Sequence, residues 1–336
     1  MMIMLAFLAA QAVAPNPAEL RSFGDWIVGC DNGRACQAVA LVTYEDDDIG
    51  STMTLRREAG GEAEPIFWIN NGEARGGSLA ADGQRLPVRL IAREDSAMVH
   101  PADTRAFVDA IRAAHQLRLR DASGTDLGPI SVEGASAAML YMDEQQRRLD
   151  TVTALVRRGT RPASAVPAPP TLPEVRAAPI DDTTTLTFTD AQIAGLRREA
   201  GCTLDEVGAP DSYEAAPLAS GQTLVLLACG SGAYNVTYLP YIAQSRDGRI
   251  RFTAAPFDYQ WAMRELERPS LINAEWDHQR HLLSEFYRGR GMGDCGTKAT
   301  YAWDGSRFRL VEQQDMEQCQ GAADFITTWR ARVVRP

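Results

Sequence analysis

Lysine is almost missing from this chain. Of 34 basic residues only Lys298 is a lysine and the rest are arginines, the bias that a GC-rich bacterial genome imposes through its codons. Basic charge as a whole is short: 44 Asp and Glu leave a net charge of −10. That balance argues against nucleic-acid or anionic-membrane partners, whose binding is driven by neutralising phosphates. There is no C-x-x-C pair for thioredoxin-like redox chemistry and no G-x4-G-K-[ST] phosphate loop. G-x-S-x-G, H-E-x-x-H and S-x-x-K are also missing, which removes the recognisable hydrolase signatures. Paired glycosidase carboxylates stay open, because they can lie far apart in sequence. No catalytic residue, cofactor site or metal site is assigned.

Long hydrophobic runs are lacking too. The longest ends at Ala10, with Ile3 to Ala10 as its core, and is too short to span a bilayer. It is followed by Ala10-Gln11-Ala12 and Ala12-Val13-Ala14, both of the A-x-A cleavage type, so Met1–Ala14 reads as a signal peptide, although no Lys or Arg precedes the run. The competing reading is a frayed apolar N-terminus or a mis-called start codon. No integral membrane segment is expected after cleavage.

What is present is a set of six cysteines, Cys30, Cys36, Cys202, Cys229, Cys295 and Cys319. An even number suits disulfides, with 15 connectivities open in principle. Proximity and strand context favour Cys30–Cys36, Cys202–Cys229 and Cys295–Cys319, worth roughly 2.4, 3.6 and 3.5 kcal/mol in the chain-entropy treatment. Zinc sites use closer C-x2–4-C pairs. Both features point to an oxidising compartment.

At 336 residues the chain exceeds one typical core. The expected fold class is α+β and predominantly antiparallel β: two β-rich domains, each with one or two helices, joined by a Pro/Ala-rich linker. The first, residues 20–159 and sandwich-like, carries alternating runs at Asp25–Cys30, Cys36–Tyr44, Ser51–Arg57, Pro65–Asn70 and Leu86–Ile91. A helix capped by Asp103 is expected to bury Phe107, Val108 and Ile111, and a longer one should run from Ala135 to about Arg158. Residues 160–180, rich in proline, are the expected linker. The second domain, 181–336, opens with a strand at Thr184–Phe188 and a capping box, Thr189-Asp190-Ala191-Gln192. A β-meander follows, from Thr223–Cys229 to Phe308–Glu312. Its aromatics, Phe286, Tyr301 and Trp303 among them, are expected in the core, with a groove lining as the alternative.

Two runs carry a family resemblance. Phe23-Gly24-Asp25-Trp26-Ile27-Val28-Gly29-Cys30-Asp31-Asn32 with Cys36, and Gly289 to Gly296 with Trp303 to Phe308 and Cys319, resemble the domain-of-unknown-function 1176 family. The front domain is also similar to the invasion-associated locus B group through its Trp-x-Val-x-Cys opening. The resemblance spans the mature chain. It implies an exported protein of a Gram-negative bacterium and supplies no catalytic residue.

Three clusters carry residue types suited to chemistry. Gly289–Gly296 with Arg288 and Arg290 is the candidate anion-binding turn, in which backbone N–H groups around Gly291 and Gly293 would cradle a phosphate or carboxylate. The simpler reading is a tight turn needing positive φ near a disulfide. His278 and His281 with Glu275 could hold a metal, or lie on an exposed loop. Glu45-Asp46-Asp47-Asp48 could hold calcium, or form a solvated loop. The expected function is that of a non-enzymatic periplasmic or secreted protein binding an envelope protein or glycan; the alternative is an envelope hydrolase.

Overall fold

The computed structural model describes residues 14–45, 48–181, 185–202, 212–260 and 269–336. The expected signal peptide, except Ala14, and Asp46 and Asp47 of the acidic run fall outside them. The fold is α+β and dominated by antiparallel sheets, with three α-helices among the described residues.

In the N-terminal half a seven-stranded sheet runs in the order Arg21–Phe23, Trp26–Cys30, Cys36–Ala40, Thr52–Arg57, Ile66–Asn70, Ala97–Val99, Leu90–Ala92. A four-stranded sheet adds Asp126–Ile130, Leu117–Arg120, Ser78–Ala81 and Gln84–Arg85. Strand alternation sorts the side chains. Trp26, Val28, Ala38, Ala40 and Met53 pack with Phe107, Val108 and Ile111 of α1 (Thr104–Ala113) and with Met139 and Met142 of α2 (Ala135–Gln145). Ile27, Val39 and Leu41 point the other way, onto Met316, Ala322, Phe325 and Ile326 of the C-terminal half. The central strands are therefore buried on both faces.

Two local expectations are corrected. Asp103 stands at the start of α1 without capping it. Its carboxylate is taken by Arg89, through the backbone N–H at 2.9 Å and Nε at 2.8 Å. The second helix ends at Gln145 instead of near Arg158, because polar side chains in its last turn and just beyond bond elsewhere. Buried Asp143 accepts from Arg57 Nη2 at 2.7 Å and from the N–H groups of Leu155 and Val156. Arg148, also fully buried, donates to the carbonyls of Gly61 and Ala63. Leu155 and Val156 then reach the core on a folded-back loop, not on another helical turn.

In the C-terminal half α3 (Asp190–Ala200) has the expected capping box, and Gly201 at φ 67° ends it. Residues 185–188 form no strand; Thr184 is outside the described residues. One sheet orders Tyr213–Pro217, Gln222–Ser231, Val236–Arg246 and Arg249–Ala254, with Leu271–Ile272 pairing to the third. The other is an antiparallel meander of Glu275–Asp277, Leu282–Arg288, Gly296–Trp303, Phe308–Met316 and Ile326–Arg330. The proline-rich stretch is not without partners: Glu174–Arg176 pairs in parallel with Arg332–Val334, burying Val175 against Leu282, Ala302 and Val311.

All six cysteines are paired, as Cys30–Cys36, Cys202–Cys229 and Cys295–Cys319. The first clips the hairpin in which Cys30 and Cys36 are also cross-strand partners.

Candidate functional site

The meander sheet of the C-terminal half carries the most chemically varied surface. Its register stacks three cross-strand rows on one face. The first is Glu275, Ser284, Thr300 and Glu312; the second Phe286, Lys298 and Gln314; the third Arg288 beside Gly296 and Met316. A Cβ on Gly296 would stand 1.9 Å from the Tyr287 carbonyl oxygen, so the backbone fills the place beside Arg288 and only glycine fits there. Along this face runs a groove of about 300 Å³, at the small end of the usual range for ligand pockets. At its Met316 end the face, with Phe325 and Ile326, packs against Ile27, Val39 and Leu41 of the N-terminal sheet.

The lone lysine sits in this groove. Lys298 Nζ lies 4.9 Å from the centre of the Phe286 ring and 4.0 Å from that of Phe325, within cation–π range. Arg288 Cζ lies 5.3 Å from the same Phe286 ring. Burial pulls the Lys298 ammonium below its ordinary range, and the charge of Asp324 pulls it back up. The backbone beneath is braced by two amides. Asn235 Nδ2 donates to the Arg288 carbonyl at 2.9 Å, and Asn273 Nδ2 to the Phe286 carbonyl at 2.9 Å.

Glu285 borders the groove, but alternation turns its carboxyl to the core side, opposite Ser284 and Phe286. There it accepts from Tyr301 Oη at 2.7 Å and from the Ile272 N–H at 3.2 Å. Burial pushes its pKa up to about 7 against these hydrogen bonds. Such a carboxyl links two sheets and is neutral over part of the physiological range.

The candidate anion-binding residues separate. Arg290 closes on Asp294, whose carboxylate also accepts from the Gly321 N–H at 2.7 Å. Gly293 turns at φ 71°, with its N–H on the Arg290 carbonyl. A Cβ on Gly289 would stand 2.7 Å from Cys295 Sγ. Gly291 is exposed at the tip of that turn. The turn thus uses its own charges internally beside a disulfide, and Arg288 alone of the four faces the groove. His278 and His281 also part: His278 lies 4.0 Å from Glu214, while His281 stacks on Trp276 with ring centres 6.4 Å apart. No group of three or more His, Cys, Asp or Glu among the described residues is placed to hold a metal.

Sequence reading had Arg288 and missed its company. Lys298 registered only as a compositional oddity and Phe286 as a core aromatic. The usable signal was that Phe286, Lys298 and Gln314 share one row, which requires the strand register.

Among known proteins, the family described as "Protein of unknown function (DUF1176)" matches residues 20–332. The "Uncharacterized protein YpfG" of Escherichia coli (strain K12) is 31% identical, over 99% of this chain and 98% of its own length. A solved structure, invasion associated protein B from Bartonella henselae, is similar at 14% identity and a TM-score of 0.29, covering 38% of this chain and 99% of that one. With the family match extending over nearly its whole length, the chain belongs to the DUF1176 family.

Proposed function

We propose that this chain is an exported binding or interaction protein of a Gram-negative cell envelope, periplasmic or secreted, whose partner is an envelope protein or glycan held without turnover. The observation that carries this reading is the groove, where Lys298 and Arg288 are propped on Phe286 within a mixed polar lining. The paired cysteines support export, since disulfides persist in oxidising compartments. The raised pKa of Glu285 favours an envelope hydrolase as the second reading. Its carboxyl, however, is turned away from the groove and occupied by Tyr301.

The test uses the full chain expressed in a Gram-negative host. Osmotic shock should release it with its N-terminus just beyond Ala12 or Ala14. The tagged protein, disulfides intact, should capture an envelope component that is lost with the double variant Lys298→Met/Glu312→Gln. Capture of nothing, together with turnover of a peptidoglycan or glycan substrate, would overturn the binding reading.

A further inference from the structure

Resting on the reading of the groove as a binding surface, and narrowing its occupant to a peptide rather than a glycan, we propose that its ligand is a zwitterion of dipeptide size, with its carboxylate on Lys298 and Arg288 and its ammonium on Glu312. The groove sorts its charges by row. Both acids lie in the first row, with Ser284 and Thr300 between them, while the cations occupy the second and third. Neighbouring strands lie about 4.8 Å apart, and residues two apart on one strand about 6.8 Å. The diagonal from Lys298 to Glu312 is therefore about 8 Å between Cα atoms. An extended chain advances about 3.5 Å per residue, so a dipeptide separates its terminal charges by about 6–7 Å.

The groove's charges are also left for a visitor. Among the described residues neither Lys298 nor Arg288 makes an ion pair, and Arg288 Nε is buried with no hydrogen-bond partner. Asp324 acts on Lys298 at a distance, while its Oδ2 accepts from Thr54, Trp68 and Asn70. Glu312 binds Gln314 Nε2 through Oε1 at 2.6 Å, and among the described residues its other oxygen has no hydrogen bond. Arg288 Nε is closed to solvent, but the residue lines the groove, where a ligand carboxylate would meet a guanidinium that no acid among the described residues pairs. A polyanion would be repelled by Glu275 and Glu312, and a polycation by Lys298 and Arg288. A neutral saccharide would answer none of the four charges.

Three probes on the disulfide-intact chain test this by titration calorimetry: alanyl-alanine, its N-acetyl form and its C-terminal amide. Alanyl-alanine should bind, and blocking either end should weaken it about tenfold or more. Lys298→Met should erase the preference for a free carboxylate while keeping that for a free ammonium. Glu312→Gln should do the reverse, and Arg288→Gln gives a second carboxylate-side variant should Lys298→Met fail to fold. Equal affinity for all three probes, no binding of any, or loss of both preferences in each variant would sink the zwitterion. Envelope capture that still depended on Lys298 and Glu312 would then leave the binding reading standing; cleavage of the dipeptide would keep the ligand class and remove the non-enzymatic reading instead.

Discussion

Single residues carry the groove's logic and the pH response of the fold. Glu285 ionises near 4.5 in the unfolded chain and near 7 in the fold, because burial disfavours its charged form more than Tyr301 and Ile272 favour it. A raised folded pKa means stability that is full below pH 4.5 and lost as pH climbs through 7. The difference is worth about 3 kcal/mol. Thermal melts of the wild type and Glu285→Gln should therefore diverge with pH, the wild type gaining on the variant from pH 8 to pH 5. A constant offset across that range would show that the carboxyl titrates normally. Lys298 shows the limit of composition: its rarity marked it, but only its place between two phenyl rings ties it to a function.

At the scale of elements, helix propensity ran past a boundary set by buried charge. The apolar spacing from Ala135 through Val156 suits one long helix, yet α2 stops at Gln145. The decisive contact is Asp143 with Arg57, both side chains fully buried. Asp143→Ala would leave Arg57 charged and unpaired and free the N–H groups of Leu155 and Val156. We expect a loss of about 3–5 kcal/mol in urea unfolding, and a loss under about 1 kcal/mol would contradict that role. Strands were easier to read, because alternation is local. The strands at Ile326–Arg330 and Arg332–Val334 went unrecognised because the first presents Thr and Trp in uneven alternation. The second is three residues long and exists through its pairing with Glu174–Arg176.

For the whole molecule the question is how the halves meet. We propose two units, residues 20–159 and 181–336, with 160–180 between them. Their contact is polar as well as apolar. Asp324 Oδ2 accepts from Thr54 Oγ1 at 2.7 Å, Trp68 Nε1 at 2.8 Å and Asn70 Nδ2 at 2.7 Å. Arg330 pairs with Asp31 and Glu58. Asp324→Ala should leave Thr54 Oγ1 and Trp68 Nε1 without their acceptor at this junction, Asn70 keeping Thr52, and cost about 2–3 kcal/mol. Trp68 fluorescence should shift to the red; an unchanged melt and spectrum would mean that the junction is held by its apolar contacts alone. Mass mapping of the purified chain without reduction should find no alkylated cysteine, matching the three disulfides. A free thiol at any of the six positions would remove the support for export.

The residues alone were enough for the β-rich class and the family, because alternation, turn residues and short motifs are local properties of the chain. The three cysteine pairs followed from short spacing. The tertiary structure decided the rest: which carboxyl faces the core, where α2 ends, and which cations share a groove. Strand register sets these, and register depends on contacts between residues far apart in sequence, such as Thr54 with Asp324 and Phe286 with Phe325.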